Sequence, residues 1–397
     1  MPLLCWSDSA QPVLLPLIYL MLRRRHKSVN TIRRDVSVLK WLYEWAENSL
    51  GIDIDYEISS GRIEKISMHF DQFAYWLRSG RVALNVIGCI GQPKPADWLH
   101  PKTYNEYLAS VKHFLLWAVE RYANQLGAES ALRHQITEIK NKVHWRFEAL
   151  TLGGKTEVDV KGLDSSEVER IKSLIFFNAP DNPFRSSAKL RNWIIVNILL
   201  ETGMRRGELL KLKTTDIHDI DGKFYCVIRR VPDDPTDNRA VQPAQKTLSR
   251  TVSISASLFS EIEQYILTVR RPTRNKRRIV LKHQFLLTSE RGTPLSLSAM
   301  NYLFDVVHAR LFQKSDTPFH PHILRNTFCN NYLEWRVDAN GAALDSALDE
   351  LRQICGWNLT SKMPLRYAAK WISAQANEHN RRRIESTWDE IKKKDLI

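Results

Sequence analysis

The sequence predicts a mainly α protein with one small antiparallel β-sheet, divided into an N-terminal helical domain and a larger α+β domain. Three observations carry this. Apolar residues recur at helical spacing through much of the chain, beginning with Ile32, Val36, Leu39, Tyr43 and Ala46. Strand-like alternation is confined to Lys223–Val231 and Thr251–Ser255, with the turn-forming Asp233-Asp234-Pro235-Thr236-Asp237-Asn238 between them. A polar, basic span, a helix with Arg133, His134, Lys140, Lys142 and His144 followed by Gly153-Gly154-Lys155, separates two regions of strong apolar patterning and reads as a linker, either wrapped along a partner or flexible. At 397 residues the chain is long enough for two full cores. The expected division is residues 1–125, helical; 126–162, a basic linker; and 163–397, the α+β domain with a C-terminal tail helix.

Taken in order, the apolar run Val13–Leu22 is too short to span a bilayer, and its arginines follow rather than precede it, so it reads as a packed first helix. A helix after Asn30 is expected to end at Gly51. A second carries Ile66, Phe70, Phe73 and Leu77 and stops near Ser79-Gly80. Residues 81–100 read as a loop. A third helix places Leu108, Val111, Leu115, Ala118 and Tyr122 on one stripe, with Lys112 and His113 off it. Arg33, Arg34, Lys40 and Lys112 then form basic outer faces of a small helical domain. In the second region Asp164 or Ser165 can cap a helix. An apolar helix through Trp193–Leu200 ends at Gly203, and a further helix restarts with Leu209, Leu210 and Leu212 directed to a core. Helices are expected from Leu258 to Val269, from about Ser298, from Pro321 at a first helical position, and through Leu348 and Leu351. Pro364 predicts a break just before the helix that carries Tyr367, and a separate amphipathic tail follows with Trp371, Ile372, Ile384 and Trp388.

Lys+Arg number 58 against 44 Asp+Glu, a formal charge of +14. That excess favours a polyanionic partner, nucleic acid ahead of a membrane surface. The basic residues cluster at Arg23–Arg25, Arg33-Arg34, Arg270–Arg278, Arg381–Arg383 and Lys392–Lys394, spread widely enough for a long footprint. The five cysteines (Cys5, Cys89, Cys226, Cys329 and Cys355) form no C-x-x-C pair, so they indicate neither a zinc site nor a disulfide framework, and they read as reduced, mostly buried thiols of a cytoplasmic protein.

Several short motifs carry chemistry. Arg205 and Glu208 are three residues apart at a helix restart, where they can share a face and meet. Lys246 stands just before the returning strand, within reach of a neighbouring phosphate. His322 and Arg325 again lie three apart in His320-Pro321-His322-Ile323-Leu324-Arg325. Gly356-Trp357 and then Tyr367 follow. Each motif alone is common on ordinary helices; their order and spacing are what distinguish them.

The series R-x-x-E, hairpin lysine, H-x-L-R, G-W and tyrosine over residues 163–375 resembles the catalytic domain of the tyrosine recombinases, the phage-integrase family. The helical domain before it is similar to that family's core-binding domain in pattern. The resemblance implies that Arg205 and Arg325 clamp a phosphate, that Glu208 supports them, and that Lys246 and His322 complete the set with Trp357, at a position where the family has histidine or tryptophan. It implies that Tyr367 is the nucleophile. Asn326 departs from the family, which commonly has a second histidine there, and Asp233–Gln245 is longer than the usual hairpin connection.

The implied activity is site-specific DNA recombination through a covalent 3′-phosphotyrosine, serving integration or excision of a mobile element. The implied partner is double-stranded DNA, bound by a homotetramer associated with the nucleoid. No metal or nucleotide cofactor is expected, since no tight acidic cluster and no Walker loop are present. Two other readings stay open at this point: a relaxing type IB topoisomerase of the same chemistry, and a non-catalytic DNA-binding protein that keeps the fold.

Overall fold

The computed structural model describes residues 2–79, 98–126, 131–153, 161–232, 234–274, 277–313 and 319–394. Gly80, most of the expected 81–100 loop, Cys89, Gly154-Lys155 and Asp233 lie outside the described residues, as do the side chains of Lys392–Lys394. The chain forms two compact units, Met1–Thr156 and Glu157–Ile397.

The first unit is helical throughout its described elements: α1 (Leu14–Tyr19), which continues into a π-turn at Leu20–Arg24, then α2 (Val29–Leu50), α3 (Ile54–Ser59), α4 (Glu64–Ser67), α5 (Phe70–Arg78), α6 (Pro101–Ala123) and α7 (Ala131–Leu150). The Ser28 hydroxyl caps α2 by accepting from the Thr31 N–H, and Gly51 ends it at φ +62°. The single helix expected through Ile66 and Leu77 is two, α4 and α5. The polar helix expected within the basic linker is α7, and it packs into the first unit. Its Ile136, Val143 and Phe147 are buried in the unit's core, and Phe147 meets Phe70 with ring centroids 4.9 Å apart. Three apolar residues at helical spacing outweighed the polar average over that span.

The second unit comprises α8 (Ser165–Ile175), α9 (Ser186–Thr202), α10 (Arg206–Lys211), β1 (Ile217–Ile220), β2 (Lys223–Ile228), β3 (Arg250–Ser253), α11 (Ala256–Thr268), the short pair β4 (Thr273–Arg274) and β5 (Arg277–Arg278), α12 (Leu297–Leu311), α13 (Pro321–Glu334), α14 (Leu344–Ile354) and α15 (Met363–Lys394). Asp164 and Glu167 close a capping box at the start of α8. β1, β2 and β3 form an antiparallel sheet in sequence order, with Ile217 opposite Cys226 and Tyr225 opposite Ser253. The β1–β2 turn uses Asp221 and Gly222, both at positive φ, as a two-residue hairpin requires. Helix α9 is buried on nearly every side, so it carries no amphipathic signal; Ile194, Ile195, Ile198 and Leu199 centre the main core together with Leu209, Ile262 and Phe304.

A smaller apolar cluster stands apart. It joins Cys329 and Leu333 of α13, Leu348 and Leu351 of α14, and Cys355, Trp357, Tyr367 and Ala368. The expected separate tail helix is part of α15, which runs unbroken from Met363 through Tyr367 to Lys394, with Ile384 and Trp388 exposed. Pro364 sits in its first turn, where the missing N–H costs nothing. Among the described residues no helix is long and apolar enough to cross a membrane, and no group of His, Cys, Asp and Glu is arranged to hold a metal ion.

Candidate active site

The site grows from two helix ends. Helix α9 stops at Gly203, at φ +59°, where a Cβ would lie 2.3 Å from the Phe328 ring; only glycine fits both the backbone and the packing. Two residues on, Arg205 is the N-cap of α10. Its backbone N–H donates to the Glu208 carboxylate at 2.8 Å. The expectation of a side-chain pair between these two is corrected here. Glu208 is 1% exposed, and its ion-pair partner is Arg250 at the start of β3, at 2.8 Å. Arg250 also donates to the Ile354 carbonyl at 2.6 Å and to the Thr247 hydroxyl at 3.2 Å. With Glu208 occupied in this way, the Arg205 guanidinium is left to the site. Burial lowers its pKa, and the Arg325 charge lowers it further.

Arg325 is fully buried on α13. It donates to the Gly203 carbonyl at 2.6 Å and to the Cys355 carbonyl at 3.0 Å, and its guanidinium lies 4.6 Å from the centroid of the Trp357 ring. The cation is thereby placed by two helix ends and one aromatic face. Trp357 stacks in turn on Tyr367, centroids 5.7 Å apart and planes 27° from parallel. The Tyr367 hydroxyl donates to the Asn326 side-chain oxygen at 3.3 Å, while the Asn326 amide donates to the Lys161 carbonyl at 3.2 Å. Burial pushes the Tyr367 pKa up, with the neighbouring arginines pulling it back. Three buried nitrogens of this cluster, Arg205 Nη1, Arg325 Nε and Trp357 Nε1, have no hydrogen-bond partner.

His322, at the first turn of α13, is an exposed residue within the field of Arg325, Arg205, His320 and Arg366. Partial loss of solvent and then those charges push its pKa down to about 4. Lys246 is exposed, on the return limb of the β2–β3 connection, and has no hydrogen-bond or ion-pair partner among the described residues. The limb is tied to the site, because Leu248 donates its N–H to the Gly356 carbonyl at 2.9 Å.

The basic residues of the first unit divide. Arg33 is exposed. Lys40 is exposed too and pairs with Glu44 at 3.3 Å. Arg34 is half-buried against Glu106 at 3.0 Å, and Lys112 is paired with Glu148. Arg33 and Lys40 are thus exposed, Lys40 beside one carboxylate, whereas Arg34 and Lys112 are partly buried against carboxylates of their own unit. In the second unit Arg270 is buried and donates to the carbonyls of Phe285 and His283, so it too is structural. Sequence reasoning missed Arg250 and the role of Asn326. The one available signal for Arg250 was a glutamate directly beside the core-directed Leu209 and Leu210, which, if buried with them, needs a cation from somewhere.

Residues 163–345 match the sequence profile of the phage integrase family. The second unit therefore carries a phage integrase family domain over those residues. Among curated tyrosine-recombinase relatives, XerD of Halalkalibacterium halodurans is 25% identical over 184 residues, 46% of this chain and 51% of that protein. The chain thus spans about half the length of that relative. Transposase A from transposon Tn554 of Staphylococcus aureus is 25% identical over 326 residues, 78% of this chain and 77% of the transposase. Among solved structures, the Tn1549 transposon integrase with circular intermediate DNA aligns at a TM-score of 0.48 and 16% identity, over 86% of this chain and 99% of that one. The XerA recombinase aligns at 0.36 and 16%, over 91% and 96%.

Proposed function

We propose that this protein is a site-specific DNA recombinase that cuts and rejoins DNA strands through a 3′-phosphotyrosine on Tyr367, serving integration or excision of a mobile element. The observation that carries the reading is the convergence of three buried, unpartnered donors, on Arg205, Arg325 and Trp357, beside one tyrosine. Donors left unpaired in an apolar setting are costly. Two arginines held close together repel each other. A phosphodiester relieves both penalties, since its non-bridging oxygens accept those hydrogen bonds and its charge offsets the cations.

In the reaction, the Tyr367 oxygen attacks phosphorus and its bond to phosphorus forms as the bond to the 5′ oxygen breaks. The phenol proton passes to the neutral His322 ring. The departing 5′ oxygen takes a proton from the Lys246 ammonium. Arg205 and Arg325 hold the charge that develops on the non-bridging oxygens. A 5′ hydroxyl of the partner strand then attacks the phosphotyrosine and reverses the bond changes, so no phosphodiester energy is lost. The scheme uses no metal and no nucleotide. Exchange between two duplexes cuts each strand of each in turn, which requires four copies of Tyr367 and hence a homotetramer on double-stranded DNA. The place of action is the cytoplasm, at the nucleoid. Arg33 and Lys40 are the first-unit residues best placed for phosphate contact, and the similarity to the Tn554 transposase supports a mobile-element role.

The test compares wild type with Tyr367→Phe on plasmid DNA carrying the sequence that flanks the coding gene, scoring protein that stays attached to DNA after denaturation. An adduct with wild type only is expected, with near-equal binding by both proteins. Cleavage by Tyr367→Phe refutes the mechanism.

A further inference from the structure

The connection from β2 to β3, residues 229–249, has no regular secondary structure over its described residues, yet side chains hold it throughout. Arg239 pairs with Asp237 at 2.7 Å and donates to the carbonyls of Leu210 and Leu295. Lys213 pairs with Asp234 at 2.8 Å. Gln242 donates to the carbonyls of Asp234 and Asp237 and accepts the Asp234 N–H. A long insertion that bears a functional lysine at a free tip would waste its orientation. This one is pinned.

Helix α10 supplies the pin nearest the chemistry. Its first residue follows Arg205. At Gly207 the connection passes so close that a Cβ would lie 2.1 Å from the Ala244 carbonyl oxygen. In its last turn Lys211 is 5% exposed, and its ammonium donates to the carbonyls of Val231 and Pro232, both at 2.6 Å, and to the Gln242 side-chain oxygen at 3.3 Å. A buried ammonium persists only where such acceptors offset its lost hydration. The Val231 peptide that receives Lys211 on its carbonyl donates its own N–H to Gln245 at 2.7 Å, and Gln245 donates back to the Arg229 carbonyl at 2.8 Å. The next residue is Lys246. A continuous set of bonds therefore runs from Lys211 through Val231 and Gln245 to the base of Lys246, from the same short helix that carries Arg205 at its start.

We propose that Lys211 is a positioning residue for the general acid: it fixes the limb from which Lys246 delivers its proton to the departing 5′ oxygen. The inference rests on the reading of Lys246 given above. Lys211 donates no proton itself, because its ammonium is committed to the connection. It acts on one atom of the reaction, the leaving oxygen, and leaves the phosphate clamp untouched.

The leaving atom supplies the test. The full-length chain is assayed in single-turnover adduct formation on a nicked duplex that wild type cleaves, with either the normal 5′ oxygen or a 5′-bridging sulfur at the scissile bond. A thiolate leaves without a proton, so a general-acid defect disappears on sulfur. Lys246→Ala is expected to lose about 10²–10⁴-fold on oxygen and to approach wild type on sulfur. Lys211→Met is expected to lose about 100-fold on oxygen and likewise to recover on sulfur. Arg205→Ala should stay impaired on both. If Lys211→Met folds poorly, Gln245→Leu reads the same bonds from their other end. Lys211→Met equally slow on oxygen and sulfur, with Lys246→Ala rescued, overturns the positioning role alone. Lys246→Ala unrescued by sulfur overturns the reading of Lys246, and the inference falls with it.

Discussion

Replacing Glu208 by glutamine removes one charge from the most completely buried ion pair in the site and leaves the shape unchanged. The Glu208 carboxylate and the Arg250 guanidinium are 1% and 6% exposed, 2.8 Å apart. Breaking a buried pair from one side leaves the other charge uncompensated, at about 3–5 kcal/mol. Two features place this case at the lower end. Arg250 keeps acceptors in the Ile354 carbonyl and the Thr247 hydroxyl, and the glutamine amide oxygen can still accept the Arg205 N–H. The expected loss is about 3 kcal/mol, a large part of the stability of a typical domain. Because the chain has two units, a single unfolding transition would blend them. Urea-dependent hydrogen exchange of peptides covering residues 205–212 and 250–253 reads the second unit by itself. The double variant Glu208→Gln with Arg250→Met should cost less than the two single variants summed, by about 1 kcal/mol or more, since no charge is left stranded. A Glu208→Gln loss below about 1 kcal/mol, with strict additivity in the cycle, would refute the claim that this pair holds α10 to the sheet.

Two further outcomes follow from the same geometry. With its pKa near 4 against an ordinary 6.5, His322 is neutral at pH 7 in the DNA-free protein. Its contribution to stability is complete above about pH 6.5 and is lost as pH falls towards 4, because the unfolded chain binds the proton first. Ring NMR should show His322 titrating near pH 4 and shifting upward when a phosphodiester is bound; a midpoint near 6.5 without DNA would contradict it. Gly207→Ala drives a methyl to 2.1 Å from the Ala244 carbonyl oxygen. It should destabilise by about 1–3 kcal/mol and slow cleavage while DNA affinity, measured by fluorescence anisotropy, stays within about threefold. Wild-type cleavage rates in this variant would show that the β2–β3 connection tolerates displacement.

The sequence by itself determined the class of fold, the resemblance to one family and which tyrosine and arginines are the candidates for its site. Helical periodicity and capping residues are local properties, and motif order is preserved along the chain whatever the packing. It also located Gly203 and Pro321, where backbone geometry restricts the residue type. Tertiary structure decided what each of those residues touches. Spacing placed Arg205 and Glu208 on one face, yet Glu208 is bonded to Arg250, 42 residues away, because a buried carboxylate takes the cation that packing brings to it. Asn326, read as a departure from the family pattern, is the group that holds the Tyr367 hydroxyl, 41 residues on. α7, expected as a polar helix of the linker, packs into the core of the first unit through Ile136, Val143 and Phe147. Lys211 was one unremarkable cation in an amphipathic helix. Only the fold, by carrying the β2–β3 connection over the end of α10, surrounds its ammonium with carbonyl oxygens. Period and propensity report a residue's neighbours within a turn or a strand; partners tens of residues apart are set by how the elements pack.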